Sequence, residues 1–541
     1  MGSMYGLARH FLHLSSTVLL FASQQGMLAQ SPAPPQKISL LQAVKNTLED
    51  HPLIRSQQAQ VQISMGLRNQ ASGAFDSLIT SGTNVSRADV PLSTFQRDQD
   101  AALGLPGSDQ VVNGANYAIG AQRLFRNGVS VTPQFQLGRT TDNLFNSSGL
   151  NTSTLNLVVN VPLLRGRGRS AVAAQEKAAR IEVDATLLDL NQTLSQLMSN
   201  TASSYWNLVA ARKNLAIAIQ AEDRGNIYFH NVEQLAAADR VPRNDLHEVT
   251  ANLAQRSATR VAAEQAVLAA QSQLALDMGL SADQMLHGFP EPSDDFPPAE
   301  DQVSPSDLPV CLEYYSDEAV RRRADYLAAG RRYAEARTLL DGARNKLLPQ
   351  VDLNFSAGYS GLQEGRHVGD FVGAAAGVSG PTATAGISYS FPPANQTARG
   401  LVMQSEGSAV QADMQARQLA RAINGSVIVN LEALRNAIAR AKRARESVQS
   451  YQSALAGERD KYSGGIGSIV DILTVEDRLT SALSDQVQAE LSYVLALTQF
   501  RFATGTLLRA GQSSQNVSAD MFLTFPFSCS ARERRPAGGY E

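Results

Sequence analysis

The feature that most limits how this chain can fold is an internal duplication with an offset of 226 residues, which aligns Asp245 with Asp471, Leu253 with Leu479, Gln273 with Gln499 and Gly279 with Gly505. Self-similarity at fixed spacing marks a fold built from repeated supersecondary units. The clearest part of the later copy is Tyr462-Ser-Gly-Gly-Ile-Gly-Ser-Ile-Val-Asp-Ile-Leu-Thr474, a Gly-rich turn between two long helical patterns. It reads as the tip of a helical hairpin. The earlier copy has Asp239-Arg-Val-Pro-Arg-Asn-Asp245 in the same place.

Each copy reads helix, strands, long helix out, helix back. In the first copy, residues 39–288, a helical pattern follows Ser39 and breaks at His51-Pro52; a β region spans about 75–162 and a hairpin about 165–279. Leu187, Leu190, Leu194, Leu197, Thr201, Tyr205 and Leu208 step by three or four, the spacing of a coiled-coil seam. Strand candidates begin at Phe75 and run over 117–125, 129–137 and 155–161, with a polar loop over 87–114. Asn127-Gly128 is the strongest hairpin turn signal. Residues 289–311, rich in Pro, Asp and Ser, read as a linker.

The second copy, residues 312–508, has one helix over 314–346, a β region over 350–391 interrupted by a Gly-rich loop, and a hairpin over about 399–505. Residues 509–541 read as a disordered tail. The interval from Pro52 to Pro162 is 110 residues and that from Ala324 to Pro392 is 68, so the first copy carries 42 extra residues in its β region. An added hairpin around 117–137 accounts for most of them, either joining the other strands or projecting from them.

Residues 1–29, with an apolar run from Phe11 to Ala22, read as a secretory signal, followed by an extension over 30–38. The run is too short to span a bilayer as a helix, and no later stretch does so. A net charge of −3 and the absence of a Lys/Arg block interleaved with aromatics disfavour nucleic acid. Cys311 and Cys529 have no metal spacing, and a single bridge between them stays open. His247-Glu248 begins a zinc-protease motif but lacks the second His, and no nucleophile or base constellation is present, so neither an enzyme nor a cofactor site is expected. Tyr205-Trp206, holding the only tryptophan, reads as a packing anchor.

An exported chain with strands at one end of long rods has too few strands to close a sheet alone, and closure calls for several copies in cyclic symmetry. In lipid such strands complete a β-barrel, which the rods extend as a tunnel. The span from Ser39 to Leu508 resembles the TolC-like outer-membrane efflux proteins. The resemblance rests on the duplicated order, Leu41-Gln-Ala-Val44 before His51-Pro52, Pro162-Leu-Leu-Arg-Gly-Arg-Gly168, and Tyr462 to Leu473 followed by Gly505.

The resemblance implies a mainly α fold with a membrane β-barrel portion: a trimeric α-barrel/β-barrel channel-tunnel in the outer membrane, reaching into the periplasm. It also implies a passive exit for a tripartite efflux or type I secretion system, with a periplasmic adaptor and an inner-membrane pump as partners. Asp471 stands where the family has a constricting Asp ring. Tyr462 and Asp245 match further closing residues, Thr474 replaces a second Asp, and Gly467 replaces the Arg that would pair with them. Arg240, Val241, Gly465, Ile466 and Ser468 are adaptor-contact candidates at the tips. Asp471 also has a plainer reading, as a carboxylate favoured by a helix N-terminus. An exported coiled-coil structural or adhesion protein is the alternative, but it gives no reason for strands at matching places in both copies.

Overall fold

The computed structural model describes residues 37–105, 107–298, 308–377, 380–508 and 517–525. The expected signal, residues 1–29, lies outside them. The first repeat opens with β1 (Lys37–Ile38), α1 (Leu40–Asp50) and α2 (Pro52–Ser72). The Ser39 side chain caps α1 by accepting from the Gln42 N–H, and Pro52 starts α2, where its missing N–H costs nothing. There follow β2 (Ser77–Pro91), α3 (Thr94–Ala102), β3 (Asp109–Leu124), β4 (Ser130–Asp142) and β5 (Leu150–Pro162). The outgoing rod is α4 (Arg169–Val172) and α5 (Ala174–Ala237), and α6 (Arg243–Asp277) returns. At 64 residues, α5 is about 96 Å long at 1.5 Å per residue.

A short α7 (Ala282–Leu286) and β6 (Glu291–Pro292) lead to the second repeat: α8 (Leu308–Arg322), α9 (Ala324–Asn345), β7 (Gln350–Glu364), α10 (Val368–Ala376), β8 (Gly380–Ser390), α11 (Gln396–Ser463) and α12 (Ile469–Ala503). A last turn, α13 (Asp520–Leu523), closes the described chain.

Both returning helices end in the same way. Gly279 and Gly505 have φ of +75° and +65°, the left-handed cap that glycine adopts without strain. A Cβ on Gly279 would lie 2.9 Å from His51 and Pro52, and one on Gly505 would lie 3.1 Å from the Arg323 nitrogen. Each cap therefore seats on the helix break of its own repeat. This corrects the single helix expected over 314–346: it is split at Arg323, whose extended backbone (ψ 122°) matches the break at His51 without a proline.

Three further expectations change. The polar loop expected over 87–114 continues β2 to Pro91, forms α3 and already starts β3 at Asp109. The linker is structured where described: β6 pairs in parallel with β1, the Asp294 carboxylate accepts from the Leu40 N–H at 2.7 Å, and Phe296 stacks on Trp206. Within the stretch read as a disordered tail, residues 517–525 pack on the rods. Phe522 is fully buried, Phe525 stacks on Phe500, and Arg501 donates to Thr524. The remaining tail, 509–516 and 526–541, lies outside the described residues, as does Cys529.

The main core sits in the middle of the rods, where Leu194, Met198, Trp206, Tyr315, Val494 and Phe500 bring helices of both repeats together. Tyr205 is buried there. Its hydroxyl donates to the Ile38 carbonyl and accepts from the Ser293 and Asp294 N–H groups. Among the described residues no helix is long and apolar enough to cross a membrane.

All long strands form one antiparallel six-stranded sheet in the order β2-β3-β4-β5-β7-β8. The register lines up Ser81, Ile119, Phe135, Leu155, Tyr359 and Pro381 across it, and the adjacent row is Thr80, Gly120, Gln134, Asn156, Gly358 and Thr382. One face is thus apolar and the other polar. On the polar face Asn160 donates to Asn354, and Asn354 to Ser388, at 2.7 and 3.0 Å. The apolar face has no core beneath it in the single chain, for Leu155, Phe355, Tyr359, Ile387 and Tyr389 are all exposed.

Candidate functional site at the hairpin tips

At the opposite end from the sheet, α5 turns into α6 through residues 238–242 and α11 turns into α12 through 464–468. The two five-residue turns keep the duplication offset. Each has its second residue in the left-handed region, Asp239 at φ 51° and Gly465 at φ 76°. Asp can adopt this conformation where most side chains cannot, which is why the first turn works without glycine. In the second turn the Ile466 and Gly467 N–H groups both donate to the Lys461 carbonyl, closing the end of α11.

Asp245 and Asp471 each occupy the third position of a returning helix. Asp471 accepts from the Ser468 N–H while the Ser468 hydroxyl accepts from the Val470 N–H, so the exposed carboxylate caps its helix. Pro242 has no N–H to offer Asp245, and the equivalent cap cannot form. Thr474, one turn further on, donates its hydroxyl to the Val470 carbonyl and leaves a neutral group in that place. Lys461 feels Asp471 as well as Glu458, its nearer partner; the Glu458 hydrogen bond is the larger cause of its raised pKa.

Tyr462 is half-buried in a cluster that contains Val241 and Leu246 of the first tip and Ile469, Ile472 and Leu473 of the second. The two tips therefore meet through apolar contacts. A Cβ on Gly467 would lie 3.0 Å from the Tyr462 nitrogen, so the turn is built around a missing side chain. Arg240, Gly465, Ile466 and Ser468 are exposed, Ile466 at 86 %, whereas Val241 is half-buried.

Above the turns lies a polar junction that sequence reading missed. Glu476 is fully buried and accepts from Arg224 Nε at 2.7 Å, Arg459 Nη2 at 2.8 Å and the Tyr228 hydroxyl at 3.1 Å. Burial is the leading cause of the raised Tyr228 pKa. The neighbouring Asp477 accepts from Arg256 Nη2 and Asn252 Nδ2 at 2.9 and 3.0 Å. Two consecutive acids of α12 thus bind α5 and α11 on one side and α6 on the other. The signal was present in the sequence: Ile472, Leu473, Glu476 and Leu479 form one helical stripe, and a carboxylate in an apolar stripe needs a cationic partner. The partner Arg224 lies 252 residues away, which no local pattern could name.

Residues 315–506, most of the second repeat, match the outer membrane efflux protein family. The whole fold is shared with solved structures. The chain is similar to a membrane protein from Pseudomonas aeruginosa (16 % identity, TM-score 0.63, covering 90 % of this chain and 94 % of that one). It is similar also to the CmeC outer membrane channel of Campylobacter jejuni (14 %, TM-score 0.61, 88 % and 87 %) and to the outer membrane protein VceC of Vibrio cholerae (17 %, TM-score 0.59, 86 % and 96 %). No curated protein matches the sequence.

Proposed function

We propose that this chain is an outer-membrane efflux protein that works as a passive channel-tunnel, a homotrimer with its sheet in the outer membrane and its rods in the periplasm, giving substrates of a tripartite efflux or type I secretion system an exit opened at the periplasmic tips. The observation that carries this reading is the two-faced sheet with both edge strands unpaired, set at one end of paired rods. Unpaired edges in lipid are costly, and closure with further copies removes them.

Asp471 forms the narrowest ring, where three like carboxylates near one axis attract cations. Tyr462, Asp245 and the small Gly467 shape the closed tip around it, and Thr474 leaves that ring single. The exposed Arg240, Gly465, Ile466 and Ser468, with Val241, meet a periplasmic adaptor, and an inner-membrane pump supplies the energy. No catalytic step or cofactor enters this reading.

The test is single-channel recording in planar bilayers, comparing wild type with Asp471→Ala at both polarities. Discrete, cation-preferring openings that lose part of their preference in the variant support it. A membrane-inserted trimer that never conducts overturns it and leaves the structural or adhesion role.

A further inference from the structure

We infer that the added hairpin, β3 and β4, is a membrane element, so that the barrel closes from three copies of a six-stranded sheet as eighteen strands, β8 of each copy pairing with β2 of the next. This rests on the trimeric channel reading above. It goes beyond it in the width and lining of the pore.

The first argument is the matched band. All five aromatic residues of the sheet (Tyr117, Phe135, Phe355, Tyr359 and Tyr389) occupy its apolar face, two of them in the added hairpin. Phe125, just past the rod end of β3, lies eight residues from Tyr117, and Val351, paired with Tyr389, lies eight residues from Tyr359. At roughly 3.3 Å per residue both spans are about 26 Å along the strand, a fair match to the apolar band of a tilted barrel with aromatic girdles at its two borders. A hairpin projecting into water has no reason to repeat that spacing.

The second argument is curvature. The glycines Gly114, Gly120, Gly138 and Gly358 all lie on the polar face. Cβ atoms there would come within 2.8 Å of Ser86, 3.3 Å of Pro133, 2.8 Å of Asn116 and 2.4 Å of Leu155. Three of these four glycines belong to the added hairpin. Within the band the polar face is the crowded one, while Leu155, Phe355 and Ile387 of the apolar face stand exposed, as on the inside and outside of a closed sheet; beyond the band, at the end far from the rods, α10 covers the apolar face at Gly361 and Ser153. On the edge strands, Gly82 and Gly386 share the polar face but have open space around them, where the next copy would stand.

The third argument is direction. β2 leaves the rods and β8 returns to them, so β8 beside the next copy's β2 continues the antiparallel order with an even strand number. Barrels of sixteen to eighteen strands leave a water-filled lumen. Only Asp352 at the rod end and Asp142 and Glu364 at the far end charge the polar face, so the lumen is a wide neutral section lined by Asn, Gln, Ser and Thr.

The experiment places single cysteines in a full chain whose Cys311 and Cys529 are changed to Ser, reconstituted as trimers in phosphatidylcholine vesicles. Phe135→Cys and Gln134→Cys report on the added hairpin, and Phe355→Cys and Ser356→Cys on β7. A polarity-sensitive fluorophore at 135 and 355 should be quenched by brominated acyl chains. Labels at 134 and 356 should be quenched by iodide in water. If 355 and 356 divide in this way while 134 and 135 both face water, the hairpin lies outside the barrel; the inference falls and the channel reading survives. If 355 and 356 do not divide either, both fall. Leu137→Cys and Gln136→Cys replace the first pair should either of its members fail to assemble, with the same outcomes.

Discussion

Replacing Glu476 by Gln keeps the shape of a fully buried side chain but removes the charge that Arg224 and Arg459 share. Arg224, with Tyr228, comes from α5 and Arg459 from α11, so the loss falls both on the contact between the two hairpins and on the pairing of α11 with α12 inside the second. Hydrogen bonds to charged groups contribute about 1.5–3 kcal/mol each when one partner is buried, and Arg459, being half exposed, contributes at the low end. We expect Glu476→Gln to lower stability by about 2 kcal/mol and to raise the open probability of the channel, because the tips are held by fewer contacts. Thermal unfolding and single-channel records check this. A variant with wild-type gating would mean that the junction serves folding alone. The same scale explains why Gly467 needs no arginine: the polar tie between hairpins has moved about two turns up α12, to Glu476 and Asp477.

At the scale of elements, α5 and α9 meet through a group of charges near the sheet. Arg332 pairs with Asp189 and reaches Glu182, while burial and then Glu182 push the Glu335 carboxyl up to about 7. Its folded pKa exceeds the unfolded one. Between the ordinary carboxyl value near 4.5 and about 7, the folded chain holds a proton that the unfolded chain has released. Stability contributed by this group is therefore complete below that window and lost as pH rises through it. Glu335→Gln should flatten the dependence between pH 5 and 8 and stabilise the protein at pH 8 by roughly 1–2 kcal/mol after screening, seen as a gap between wild-type and variant melting curves that is small near pH 4.5 and opens as pH rises through 7.

The helices of this region were legible in the sequence because long runs with three-and-four spacing and few breakers admit little else. The strands were legible in their apolar stretches only. Beyond the band, Arg87, Asn113, Thr140 and Thr152 continue the ladders with polar side chains that look like loop, so strand lengths were underestimated. The break at Arg323 and the packed turn at Phe522 were invisible because each depends on a distant partner, Gly505 in one case and the aromatic pair Tyr315 and Phe500 in the other. Of the tip residues, the turns and both aspartates were found by the duplication, and the buried junction was not.

For the whole molecule, the two faces of the sheet give opposite outcomes for the same added charge. Ile387 and Ser388 are neighbours on β8, the first beside Leu353 on the apolar face and the second hydrogen-bonded to Asn354 on the polar one. An arginine on the lipid face near the middle of the membrane costs about 2–4 kcal/mol, falling toward the borders, and Ile387 is only two residues inside Tyr389. Ile387→Arg should therefore weaken membrane insertion by about 2 kcal/mol in each copy and reduce the yield of heat-resistant trimers. Ser388→Arg should insert normally and, by setting one positive charge per copy directly opposite Asp352 at the rod end of the polar face, offset that acid and move the channel away from cation preference. Quantitative insertion into vesicles and reversal potentials in a salt gradient separate these effects. If Ser388→Arg blocked insertion while Ile387→Arg altered selectivity, the faces would be assigned the wrong way round, and the crowding at Gly120, Gly138 and Gly358 would belong to the outer surface instead of the lumen.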